Sequence, residues 1–184
     1  NLLQALELSG YQVGDLPDNG DDLIHKLAAG PTNDLTNRAE RNGGIRYSIA
    51  DYQAFFAGLP EGLQERVTER WGQPGDDPFV VGEDFVLSAF RQGNVIIGLQ
   101  PARGYNIDPK SSYHDPDLVP PHGYLAFYAW LRRDYGAQAV IHMGKHGNLE
   151  WLPGKSLALS ADCFPEAVFG PMPHLYPFIV NDPG

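Results

Sequence analysis

Apolar positions recur at helical spacing through the first part of the chain, then gather into short runs flanked by glycine and proline. The stretch Asn1–Leu8 has a helix-like pattern, and Asp21-Asp22 opens a second run through Leu23, Ile24, Leu27 and Ala28 that Gly30-Pro31 ends. Ser48 is placed to cap a helix over Ile49 to Ala57, and Glu61 to Trp71 gives another. Gly72 to Pro78 (GQPGDDP) has the composition of a turn or linker and marks a boundary between a mainly helical segment, residues 1–75, and an α/β segment, residues 76–184. Beyond it, Phe79–Val81, Phe85–Leu87 and Asn94–Gln100 are β-like. Gly123 to Tyr135 reads as a helix with Tyr124, Phe127, Tyr128 and Leu131 on one face. Gln138–His142, a short helix around Pro165–Phe169, and Tyr176–Asn181 follow. This rhythm of strand and helix predicts an α/β fold: a helical N-terminal part followed by a parallel-sheet, Rossmann-like portion.

Charge and composition narrow the function classes. The net charge is −10, and residues 1–100 carry 7 basic against 15 acidic side chains. Nothing forms the basic stripe that phosphate contacts require, so no nucleic-acid partner is expected. No apolar run reaches the roughly 20 residues of a membrane span. The single cysteine, Cys163, forms no internal disulfide and fits a reducing compartment. With no signal-peptide pattern in view, cytoplasm is the expected location. The 21 glycines and 16 prolines, set among 42% hydrophobic residues, describe a loop-rich folded protein rather than a disordered one.

Candidate chemistry concentrates in Val140–Lys155, VIHMGKHGNLEWLPGK. His142, His146 and Glu150 stand four residues apart, with Lys145 among them and Trp151-Leu152-Pro153-Gly154 as a rigid close. Gly144 and Gly147 argue for a loop at a strand's end, where open α/β sheets bind ligands. Two imidazoles and a carboxylate are suited to metal ligation or proton transfer. The competing reading is that the histidines merely satisfy buried backbone groups. The zinc-protease pattern is absent, because Met143 follows His142. Gly154-Lys155-Ser156 is no phosphate loop either, since Leu149 occupies the place of the first glycine. A second polar concentration, Arg103 to His122, holds Arg103, Tyr105, Asp108, His114, Asp115, Asp117 and His122 between prolines, as a stiffened wall or as ordinary turns. Cys163 reads as a small buried residue, and His174, between Pro173 and Leu175, as structural.

The string His142-x-Gly144-x-His146-Gly147-x-x-Glu150-Trp151-Leu152-Pro153-Gly154 resembles the signature of the large, tetrapyrrole-binding subunit of ATP-dependent metallochelatases. That family comprises the cobaltochelatase of aerobic cobalamin synthesis and the magnesium chelatase of chlorophyll synthesis. GLQPARGYNIDPKSSYHDPDLVPPHGYLAFYAWLRRDYGAQAV, upstream, and SLALSADCFPEAVFGPMPHLYPFIVNDPG, downstream, are similar to the cobalt branch. Members are several times longer, so the chain reads as a fragment of a large multidomain subunit, inactive by itself. The resemblance implies a ligase forming nitrogen–metal bonds, with Co²⁺ inserted into hydrogenobyrinic acid a,c-diamide. It implies Glu150, His146 and His142 as catalytic and metal-handling residues, and Arg103, Tyr105, Lys145, His122 and Trp151 as contacts to the corrinoid. ATP and Mg²⁺ are expected on a partner AAA+ ATPase subunit, working with an integrin-I-like subunit that carries a metal-ion-dependent adhesion site. The alternatives are a magnesium chelatase large subunit binding protoporphyrin IX, a subunit-docking module without its own site, and a hydrolase with a His-His-Glu metal centre.

Overall fold

The computed structural model describes residues 2–105, 115, 117–144, 147–154 and 160–177, with Glu150 described through its backbone alone. Helix α1 spans Leu2–Leu8 and α2 Gly20–Ala29, the latter capped by the Asn19 side chain, which accepts from the Asp22 amide at 3.0 Å. Strand β1, Ile45–Ser48, runs straight into α3, Ile49–Phe56. Ser48 is the predicted cap, its hydroxyl accepting from the Asp51 amide at 3.0 Å. Helix α4, Glu61–Trp71, stops at Gly72, whose φ of +80° few other residues adopt.

Strands β2 (Val80–Val81) and β3 (Asp84–Leu87) join β1 in an antiparallel sheet of order β1-β3-β2. Strands β4 (Ala89–Gln92) and β5 (Val95–Gly98) form a hairpin. Here the structure departs from expectation: the NVIIGLQ strand, predicted within a parallel sheet, pairs antiparallel with β4. The reason is local. Gly93-Asn94 is a two-residue turn with glycine first at φ +61°, and such turns force antiparallel pairing. A Cβ on Gly93 would also stand 2.3 Å from the Gln12 carbonyl oxygen. The expected parallel pairing does occur between β6, Val140–Ile141, and β7, His174–Leu175, with helix α6, Phe164–Phe169, between them in sequence. Most of the predicted Tyr176–Asn181 strand lies outside the described residues.

Helix α5, His122–Arg133, is the centre of the molecule, buried on every side from His122 to Leu131. Tyr52, Phe55, Leu63, Val67 and Phe85 pack in one core with Tyr124, Leu125, Ala126, Phe164 and Val168. Residues on both sides of Gly72–Pro78 share that core, and within the segment Pro74 and Asp77 are themselves buried. By contrast α1 and α2 bury no residue, and Leu8 and Ile24 are exposed. Among the described residues, no helix is long and apolar enough to cross a membrane.

The start of α5 is unusual because its N-cap is Pro121, which has no side-chain acceptor. Asp77 supplies one from 46 residues away: its carboxylate accepts from the Gly123 amide at 2.7 Å, from the Phe79 amide at 2.8 Å, and from the Tyr105 hydroxyl. Burial raises the Asp77 pKa, and these three hydrogen bonds oppose the rise. Replacing Asp77 with Ala should destabilise the chain by about 3 kcal/mol in urea unfolding, because it leaves buried donors without an acceptor. An Asp77→Ala chain as stable as the parent would remove the carboxylate from this structural role.

Candidate functional site

The glycine-rich turn begins where β6 ends. The His142 amide donates to the Leu175 carbonyl at 2.8 Å, extending the parallel pairing and bringing His142 beside Tyr176. Their rings meet edge to face at 4.6 Å, and the His174 ring lies 6.1 Å from that of His142, again nearly perpendicular at 86°. His174 and Tyr176 stand two residues apart on one strand face and stack at 7°. A Cβ on Gly144 would sit 3.1 Å from His142 Nε2, so glycine lets the turn pass close to the imidazole. His142 and Tyr176 are half-buried, while His174 is exposed.

The far half of the turn is anchored to the core. The Gly147 amide donates to the Tyr176 hydroxyl. Asn148 accepts from the Tyr124 hydroxyl at 2.7 Å through Oδ1 and donates to the Pro101 carbonyl at 3.0 Å through Nδ2. A 3-10 helical turn, Leu149–Trp151, buries Leu149 and leaves Trp151 39% exposed at the surface. Leu152 is buried behind it, and the Pro153 carbonyl accepts from the Phe164 amide at 3.1 Å. At Gly154, with φ +133°, a Cβ would stand 2.9 Å from that of Cys163. Cys163 is buried, in keeping with its sequence context.

The candidate residues divide into three groups. His142 and Trp151 reach the surface of the turn. Lys145, His146 and the side chain of Glu150 lie outside the described residues, as do Asp108 and His114. Among the described residues, no three His, Cys, Asp or Glu side chains are grouped to hold a metal ion. Arg103, Tyr105 and His122 are buried, at 5%, 8% and 0% exposure. Arg103 donates to the Trp151 carbonyl and to the Asp115 carbonyl at 3.1 Å, tying the proline-rich loop to the motif turn. Tyr105, at φ +58°, donates to Asp77, and burial raises its pKa.

His122 hydrogen-bonds at both nitrogens: Nε2 lies 3.1 Å from the Gly72 carbonyl oxygen and Nδ1 2.7 Å from the Tyr52 hydroxyl. A carbonyl only accepts, so Nε2 carries the proton, and in the neutral ring Nδ1 accepts from the Tyr52 hydroxyl. Burial lowers its pKa accordingly. Contact between a macrocycle and His122 would pass through the residues that cover it. Four residues that matter to this arrangement are not singled out for it by the sequence: Asp77, Asn148, His174 and Tyr176. The strand pattern that places His174 and Tyr176 on one face is the signal available for the last two.

Two outcomes follow. A folded pKa below the ordinary 6.5 means the contribution of His122 is present above that value and lost as pH falls through it toward the lower folded value. Urea unfolding from about pH 7.5 to pH 5 should show this decline in the parent, and a His122→Phe chain, less stable throughout, should show a shallower one. Asn148→Ala should cost about 1–2 kcal/mol and speed amide hydrogen exchange at Gly147–Trp151, while leaving exchange in α3 and α4 unchanged.

Comparison with known proteins adds a separate line of support. A family model described as CobN/Magnesium Chelatase matches residues 1–184. The aerobic cobaltochelatase subunit CobN of Sinorhizobium sp is 61% identical, covering 100% of this chain and 14% of that protein. The CobN subunit of Pseudomonas aeruginosa is 53% identical, covering 100% of this chain and 15% of its own length. A magnesium-chelatase subunit of Chlorobaculum parvum is 36% identical over 99% of this chain and 14% of its own. A solved structure, the catalytic subunit of cobaltochelatase from Mycobacterium tuberculosis, superimposes with a TM-score of 0.84 at 46% identity, covering 99% of this chain and 16% of that one. The chain thus spans about a seventh of the length of the relatives it matches.

Proposed function

Because the chain belongs to the CobN/magnesium chelatase family, we propose that it is the part of a cobaltochelatase large subunit that carries the metal-insertion turn. The observation that carries this reading is identity along the whole chain: 61% and 53% to cobaltochelatase subunits against 36% to a magnesium-chelatase subunit. The substrate in this reading is hydrogenobyrinic acid a,c-diamide and the inserted ion is Co²⁺. ATP, with Mg²⁺, is hydrolysed by a partner AAA+ subunit acting with the integrin-I-like subunit, in the cytoplasm. The fragment alone is inactive. Its N-terminal helices, which bury no residue, are suited to contacts with the rest of the assembly.

Insertion requires that the ring be held, that its N–H protons leave to a base, and that the ion exchange water for ring nitrogens. Glu150 is the base, and His142 and His146 hold the ion during the exchange. Imidazole with oxygen ligands suits Co²⁺. The exposed Trp151 indole offers an apolar face to the flat macrocycle, and Lys145 meets its carboxylate or amide edge. Arg103, Tyr105 and His122 contribute from inside. Arg103 fixes the backbone at Trp151, and Tyr105 and His122 fix the start of α5, to which the turn is tied through Tyr124 and Asn148.

Glu150→Gln in the complete three-subunit complex tests the reading. It keeps size and removes the base, so Co²⁺ insertion followed by corrinoid absorbance should fall by at least about 100-fold. Binding of the cobalt-free ring, followed by calorimetry, should be unchanged. Parent-like insertion by Glu150→Gln would take Glu150 out of the mechanism.

A further inference from the structure

The sequence context of His174 is that of a structural residue, yet the fold brings it to the insertion turn. The parallel register pairs Val140 with His174 and Ile141 with Leu175, and the next hydrogen bond, from the His142 amide to Leu175, carries the alignment into the turn. Alternate residues of a strand share a face, so His174 and Tyr176 stand together beside His142. The result is an aromatic unit of three rings: His142 to Tyr176 at 4.6 Å, His174 to Tyr176 at 5.7 Å, and His142 to His174 at 6.1 Å.

We propose that His142 and His174 form a two-imidazole receiving site for the incoming divalent ion, from which it passes to the macrocycle. Two imidazole nitrogens bound to one ion at about 2.1 Å place their ring centroids about 5 Å apart. The observed 6.1 Å is within a small side-chain adjustment of that, and His174 is exposed at the edge of the two-stranded sheet. Tyr176 packs against both rings and also holds the Gly147 amide, so the motif turn and the ion site share one support. Phe169 backs His174 from the core side at 4.9 Å.

Two protein ligands leave most of the coordination sphere to water, the open arrangement that a hand-over to ring nitrogens needs. The donor type also selects. Imidazole binds Co²⁺ and Zn²⁺ well, whereas Mg²⁺ prefers oxygen and gives up water reluctantly. The inference takes the identity of the ion from the cobaltochelatase reading above; the site itself rests on the ring geometry.

The test is titration of the full-length large subunit with Co²⁺ alone, followed by calorimetry and by the visible d–d absorbance. His174→Phe keeps a ring against Phe169 and Tyr176 while removing the nitrogens, and His142→Ala removes the other ligand. Each should raise the Co²⁺ dissociation constant at least about tenfold. The double variant should bind little more weakly than either single one, since both remove the same pair. Zn²⁺ should displace Co²⁺, and millimolar Mg²⁺ should not. Co²⁺ affinity unchanged in His174→Phe, or no saturable Co²⁺ binding by the parent, overturns the site. Binding of the cobalt-free corrinoid is read on the same samples: if it is retained while Co²⁺ affinity is unchanged in His174→Phe, only this inference fails. A parent subunit that binds no corrinoid overturns the cobaltochelatase reading instead, whatever the Co²⁺ titration gives.

Discussion

The buried carboxylate of Asp77 is the constraint on which the rest of the arrangement hangs. A charge removed from water is costly unless its acceptor positions are filled, and here two backbone amides and a phenol fill them. Those donors come from three separate stretches: the segment leading to β2, the proline-rich loop at Tyr105, and the first turn of α5. Satisfying one side chain therefore fixes three pieces of backbone relative to each other. It also solves a local problem, because Pro120-Pro121 sets the entry to α5 and offers no side-chain cap of its own. The positive end of the helix dipole faces the carboxylate, which favours the ionised form against the penalty of burial. Arg38, nearly buried and lying over the Phe79 ring at 3.9 Å, adds positive charge nearby, and its own pKa is pulled down to about 10 by burial.

From α5 the order is passed outward to the turn. Tyr124 is fully buried on the helix, so its hydroxyl is a fixed point, and Asn148 is bonded to it. The other side of Asn148 reaches Pro101, and Arg103 reaches the Trp151 carbonyl from the same loop. A glycine-rich segment would otherwise sample many conformations. Here it is held at Gly147, Asn148 and Trp151 by side chains that are themselves packed. Such a turn can hold His142, just past β6, and Trp151, at the end of the 3-10 turn, through side chains that are locked by packing.

The legible parts of the fold were those that local chemistry decides. The Ser48 cap, the Gly72 stop and the apolar helix after Pro121 each follow from neighbouring residues, and the helices begin and end within a few positions of where the pattern puts them. The motif turn was visible for the same reason. What the pattern hid was decided at long range. The apolar run before Gln100 suited a buried parallel strand equally well, and only the Gly93-Asn94 turn chose the hairpin. His122, at the head of a helix beside a polar loop, has the sequence context of a ligand-binding residue, but Tyr52 and Gly72 lie 70 and 50 residues away and claim both its nitrogens. Asp77 sits in a segment with linker composition, and nothing near it in sequence announces that Gly123 will need an acceptor. The place of His174 beside His142 depends on a two-residue parallel pairing that sequence periodicity does not resolve.

A chelatase has to hold its ion loosely enough to lose it. A closed tetrahedral site of histidine and cysteine binds first-row metals so tightly that a ring whose nitrogens are still protonated would compete poorly. Under the proposal above, two imidazoles at a sheet's edge would hold less strongly and leave positions open, so each ring nitrogen that loses its proton could replace a water before either histidine lets go. On that view the protein's part is geometric. The support running from Asp77 through α5 to Asn148 anchors the far half of the turn, while the proposed second ligand, His174, is exposed on β7. The two ligands of the proposed site then come from different strands, His142 from the end of β6, where the anchored turn begins, and His174 from β7, with Tyr176 joining the two.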